Sequence, residues 1–211
     1  MSVNKRLLTS SQVSNWFGQN ATSSIPIPSK AYTNLMSSYD SIATANGTGS
    51  ASSVTFSNIP QTYKHLQVRC FVRTAYAASQ DTFYMYNYDN QGSLTNSAYH
   101  YLYGTGVNAM ATGGTGNTSS VGGFVPGNTA LANTYGIVIV DILDYSNNNK
   151  NKTVRSLMGW DDNGTTTSGN VNVGLFSNLP VALGTTAVSG LTILFNGNIT
   201  TNSKFALYGI R

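Results

Sequence analysis

At 211 residues the chain is long enough to bury one good core and short enough to be a single all-β domain. Charged residues are only 9% of it, against roughly 25% in an ordinary globular chain, and the seven acids are all aspartate, which suits turns better than helices. The net charge of +4 comes from eleven scattered Lys and Arg, with no cluster beyond Lys5-Arg6 and Lys150-Asn151-Lys152, which excludes the phosphate-neutralising face of a nucleic-acid binder.

Residues 1 to 38 are polar and irregular. Ile25-Pro26-Ile27-Pro28 favours an extended, polyproline-like path that cannot enter a sheet centrally. Trp16 and Phe17, with Ile25 and Ile27, are the apolar anchors of this arm and its candidate docking residues. They serve either to strap a neighbouring subunit or to pack on the arm's own domain. Met1 to Gln19 lacks the apolar core of a signal peptide, and no segment reaches the run of about 18 apolar residues needed to span a bilayer.

From Tyr39 onward short segments of period two alternate with Gly, Asn, Ser and Pro turns, which predicts an antiparallel β-sandwich of jelly-roll-like type over residues 39 to 211. In His65 to Arg73, Leu66, Val68, Cys70 and Val72 share one face and Gln67, Arg69, Phe71 and Arg73 the other. Cys70 is the single cysteine, so it forms no intrachain disulfide and reads as a buried hydrophobe. In Thr82 to Tyr88, Phe83 and Met85 oppose Tyr84, Tyr86 and Tyr88. These three tyrosines suit an interface or a sugar-stacking platform, because each ring offers large area, low entropy cost and a hydroxyl.

Gly104 to Gly127 is glycine-rich and poor in apolar residues, and is expected to be a long surface loop and a second interface candidate. Gly136 to Tyr145 and Lys152 to Asp161 read as a hairpin. The first strand is apolar on both faces, as expected of a strand near a sheet centre, and Asp141 and Asp144 are placed to pair with Arg155 across it. Further strands are expected near Val171 to Phe176, Leu191 to Asn196 and Lys204 to Ile210. Phe56-Ser57-Asn58-Ile59-Pro60 returns as Phe176-Ser177-Asn178-Leu179-Pro180, which suggests one strand-ending turn used twice.

Chemistry is sparsely provided for. His65 opens a strand and His100 sits between Tyr99 and Tyr101. There is no nucleophile elbow, and the glycine run lacks the lysine and helix of a phosphate cradle. Asp161-Asp162-Asn163-Gly164 has the look of a calcium loop but lacks alternating ligands and a closing Glu, so a turn explains it. No catalytic residue, cofactor or metal site is expected.

Several strings carry a resemblance: Tyr39-Asp40-Ser41-Ile42-Ala43, Tyr63-Lys64-His65-Leu66-Gln67-Val68-Arg69, Asp141-Ile142-Leu143-Asp144-Tyr145, Lys152-Thr153-Val154-Arg155-Ser156-Leu157 and the terminal Phe205-Ala206-Leu207-Tyr208-Gly209-Ile210. Together, over about residues 39 to 211, the chain resembles a family of virion proteins of tailed bacteriophages, including cyanophages. The resemblance implies a virion-exposed β-domain without catalysis, made in the host cytoplasm and carried on the particle surface.

The expected function is therefore that of a capsid-exterior decoration or cement protein. Its partners would be copies of itself, as a homotrimer, and the major capsid protein. The alternative is a tail-fibre or tail-tip adhesion module, with tail proteins as partners and a host glycan stacked on Tyr84, Tyr86 and Tyr88, with Trp160 as a further stacking candidate. No nucleic acid and no membrane is expected as a partner.

Overall fold

The computed structural model describes residues 38–86, 97–105, 108–117, 120–161, 171–180 and 185–211. Trp16, Phe17, Ile25, Ile27, Tyr88 and the stretch 162–164 lie outside the described residues. Residues 39–211 make one compact unit, with twelve strands among the described residues: β1 (Tyr39–Asn46), β2 (Ser53–Phe56), β3 (His65–Val72), β4 (Gln80–Tyr86), β5 (Ser97–Gly104), β6 (Ala109–Asn117), β7 (Ser120–Pro126), β8 (Gly136–Leu143), β9 (Thr153–Asp161), β10 (Val171–Pro180), β11 (Leu191–Leu194) and β12 (Lys204–Ile210). The unit is an antiparallel β-sandwich. One sheet has eight strands in the order β1-β12-β3-β8-β9-β10-β5-β6, the other four in the order β2-β11-β4-β7. The chain passes repeatedly between layers, with β1 and β3 in the large sheet and β2 and β4 in the small one.

The period-two pattern decides what lies between the sheets. Leu66, Val68, Cys70 and Val72 of β3 are buried, as are Val138, Val140 and Ile142 of β8 and Val154, Ser156, Met158 and Trp160 of β9. They meet Phe83 and Met85 of β4 and Leu191 and Ile193 of β11 from the small sheet, with Phe195 edge-on to Phe83 at 5.5 Å. Burying a large apolar side chain contributes about 1.5–3 kcal/mol, so this layer supplies most of the driving force.

Three buried polar groups fix the connections. The guanidinium of Arg73 donates to the carbonyls of Asn128, Ala130, Leu131 and Thr134, the last two at 2.6 and 3.0 Å from Nη1. Periodicity places Arg73 on the outer face with Arg69, but past the end of β3 it is buried under the segment before β8. Asp81 accepts from the Thr74 hydroxyl and from the backbone of Thr82, Asn196 and Gly197. Lys152, fully buried, donates to the carbonyls of Asn147, Lys150 and Thr185.

Two expectations about the chain's course are corrected. The stretch Gly104 to Gly127 is not a long loop; it contains β6 and β7. Gly113 and Gly114 are strand residues that face bulky neighbours. A Cβ on Gly113 would come within 2.3 Å of the His100 ring, and one on Gly114 within 3.1 Å of the Tyr99 hydroxyl and 3.2 Å of its ring. His100 and Tyr99 are the cross-strand partners of these two glycines. The repeated Phe-Ser-Asn motif is also not one turn used twice. After β2 it bends, with Asn58 at φ 54°, whereas Phe176 to Pro180 is paired strand in β10.

Candidate functional site

The large sheet is twice as wide as the small one, and its outer face carries a feature that alternation alone does not require. The registers align residues across successive strands. Arg69, Ile139, Leu157, Leu175, Leu102 and Ala111 stand opposite one another in a row across β3, β8, β9, β10, β5 and β6. Leu157 and Leu175 are each 51% exposed and Leu102 is 59% exposed. In the neighbouring row Phe71 and Ile137 are similarly open, and Phe71 stacks on Tyr135 at 4.8 Å. With strands about 4.8 Å apart, the four residues from Ile139 to Leu102 form a ridge about 14 Å long.

Beside this ridge lies a shallow trough. The row running Ile137, Gly159, Val173, Gly104, Ala109 has two glycines and an alanine among its five positions. A depression bordered by Leu157, Leu175 and Leu102 has Gly104 and Ala109 in its lining. Scattered exposed leucines need no explanation, but a contiguous apolar row marks a surface that meets something.

A polar network borders the ridge on its other side. Arg69 Nε donates to Gln67 Oε1 at 2.7 Å, Gln67 Nε2 donates to Asp141 Oδ1 at 2.8 Å, and Arg155 Nε donates to Asp141 Oδ2 at 3.1 Å. The Arg69 guanidinium lies 4.8 Å from the ring centres of both Tyr39 and Tyr208. Such a stacked, hydrogen-bonded cation is held in place and presents a fixed edge. The expected Asp141–Arg155 pair is thus present. Asp144 instead takes Lys150, at 2.9 Å, and that hydrogen bond above all holds its carboxyl below the usual carboxylate range.

Of the sequence-derived site residues, Tyr84 and Trp160 are those whose side chains are described, and Trp160 is buried in the core rather than open to a glycan. Tyr84 lies on the outer side of the small sheet, half-buried, with Phe83 and Met85 turned into the core as the alternation requires. The side chain of Tyr86 lies outside the described residues. The tyrosines that form a ladder are Tyr99, Tyr101 and Tyr103 of β5, with ring centres 5.6 Å apart and Phe124 edge-on to Tyr101 and Tyr103. Tyr99 and Tyr101 stack on each other with planes 11° apart, so their facing surfaces are already covered. Burial, and then the neighbouring Tyr99 and Tyr103, push the Tyr101 hydroxyl pKa up.

The carboxylates of Asp40, Asp81, Asp141 and Asp144 each have a separate partner and do not converge on one groove. Among the described residues no group of three His, Cys, Asp or Glu side chains is gathered at metal-binding distance. No protein-family model, curated protein or solved structure matches the chain.

The outer ridge is not legible in the sequence because its members come from four strands and align only through the registers. A signal was available: Arg155-Leu157-Gly159-Asp161 is the solvent-facing phase of β9, and a leucine stands in it. In β8 the second apolar phase, Ile137 and Ile139, was assigned to burial on both sides. The sandwich covers only one side, leaving Ile137 54% exposed.

Proposed function

We propose that the protein is a non-enzymatic structural component of a tailed-phage virion, carried on the exterior of the capsid as a decoration protein that binds and stabilises the shell. The observation that supports this most is the contiguous apolar ridge on the outer face of a charge-poor β-sandwich. A protein that works in many copies gains from rigid faces with few charges to desolvate, because every charge buried without a partner subtracts from association. The resemblance of residues 39 to 211 to tailed-phage virion proteins supplies the setting.

The test is electron microscopy of the particle that carries the chain, together with a particle lacking it. Density for a two-sheet domain on the shell faces, and earlier release of the genome on heating when it is missing, is the expected result. Density confined to the tail, with binding of the isolated protein to a glycan array, would replace this proposal by that of a tail adhesion module.

A further inference from the structure

We propose that the outer face of the large sheet is a self-association surface, and that a second copy of this chain packs on it about a two-fold axis lying between the Leu157 row and the Gly159 row. The inference deepens the structural proposal above but stands on the face alone, and it holds or fails wherever the protein is located.

Shape is the first argument. The ridge and the trough are adjacent parallel rows on one face, offset by two residues along each strand. Rotation by 180° about an axis in the face, midway between the rows and parallel to them, lays Leu157 and Leu102 of each copy over Gly159 and Gly104 of the other, with Ile139 over Ile137. Leu157 of one copy then falls over Gly159 of its partner, where no side chain stands in the way. Sheets packing face to face in this manner sit about 10 Å apart. The contact is isologous and closes on itself.

Area and charge agree with that occupant. Phe71, Leu102, Ile137, Leu157 and Leu175 are each about half exposed, which gives the apolar patch roughly 500 Å², at the upper end of what a monomer leaves open. With its polar margin the face approaches the roughly 800 Å² per partner of a stable interface. The row beside the ridge carries one anion and one cation, Asp141 and Arg155, already paired. The ridge row itself holds one further cation, Arg69, and the two-fold sets it over Phe71 of the second copy rather than over another charge, so an identical face meets little like charge. Under the two-fold these paired charges fall at the two margins, where water reaches them.

Sedimentation velocity of the full chain over a wide concentration range tests the proposal, using Leu157→Lys and Leu157→Glu. The wild type should associate to a dimer or a multiple of one. Each variant alone should have its dissociation constant raised at least about 30-fold, and an equimolar mixture of the two should recover association, because residue 157 of each copy approaches that of its partner. Gly159→Gln, which fills the trough without touching the ridge, should weaken association as well. Circular dichroism confirms that each variant is folded. A wild type that stays monomeric, variants that associate as tightly as wild type, or a mixture that gains nothing over its components would each overturn it.

Discussion

Leu157 of β9 stands directly opposite Leu175 of β10, and each keeps half of its surface in water. On the other side of β9, Met158 and Val154 are closed into the core. The two faces of this sheet are thus both apolar at their centre, and only one of them is covered by the four-stranded sheet. That imbalance separates what the ridge does for folding from what it does for assembly.

Because the ridge leucines give the isolated fold little burial, Leu175→Gln and Leu102→Gln should each change the stability of the dilute protein by no more than about 0.5 kcal/mol. At high concentration the wild type should melt at a rising temperature, since association favours the folded state, and the double variant should not. Calorimetry at two concentrations a hundredfold apart distinguishes the two. A concentration-independent wild type would remove the assembly role.

Arg73 presents the opposite case. It is buried beneath residues 128–134 with four carbonyls on its guanidinium. Arg73→Met leaves those acceptors without donors and should cost about 2–4 kcal/mol. For a chain of this size that lowers the melting temperature by about 10 °C. Arg73→Lys, with one ammonium in place of the fork, should fall between the two. A melting temperature within about 2 °C of wild type for Arg73→Met would show that the loop does not depend on this residue.

Much of the sandwich was legible in the sequence. The alternation of Leu66, Val68, Cys70 and Val72 placed β3 and its inner face correctly, and the β8–β9 hairpin followed from two apolar runs flanking an Asn-rich loop. The glycine-rich strands were not legible, because glycine reports nothing of its own about burial. Gly113 and Gly114 are understood only from His100 and Tyr99 across the ladder. Nor could one strand show that Leu157 would align with Leu175 and Leu102, since that row exists only once registers are known. Arg73 shared a phase with Arg69, but one lies past the strand's end and is buried, and the other stays on the open face.

The glycine pairing leads to a double-mutant cycle. Gly113→Ala pushes a methyl into the His100 ring and should cost about 1–2 kcal/mol. In the background of His100→Ala the same substitution should cost less than half as much, because the obstructing ring is gone. Denaturant unfolding of the four proteins provides the coupling energy. Additive effects would mean that the glycine is needed for some reason other than room.

Cys70 is fully enclosed, and burial pushes its thiol pKa far up. Above roughly pH 9 the unfolded chain releases this proton while the folded chain keeps it, so stability falls as pH rises, by about 1.4 kcal/mol per pH unit. Tyr145, whose hydroxyl pKa is raised mainly by burial, adds a loss of the same sign once the pH passes its ordinary range. Cys70→Val removes the first contribution alone. Its stability profile between pH 9 and 10.5 should be flatter than the wild type's by that slope, and parallel profiles would contradict the assignment.

The most direct test of the ridge as an assembly face is hydroxyl-radical footprinting of the wild-type chain at low and high concentration, with oxidation read at individual residues. Leu157, Leu175 and Leu102 should become several-fold less reactive as the protein associates, while Leu131, which is as exposed but lies in the loop before β8, should not change. Equal oxidation of the ridge in the dilute and the associated protein would contradict the account.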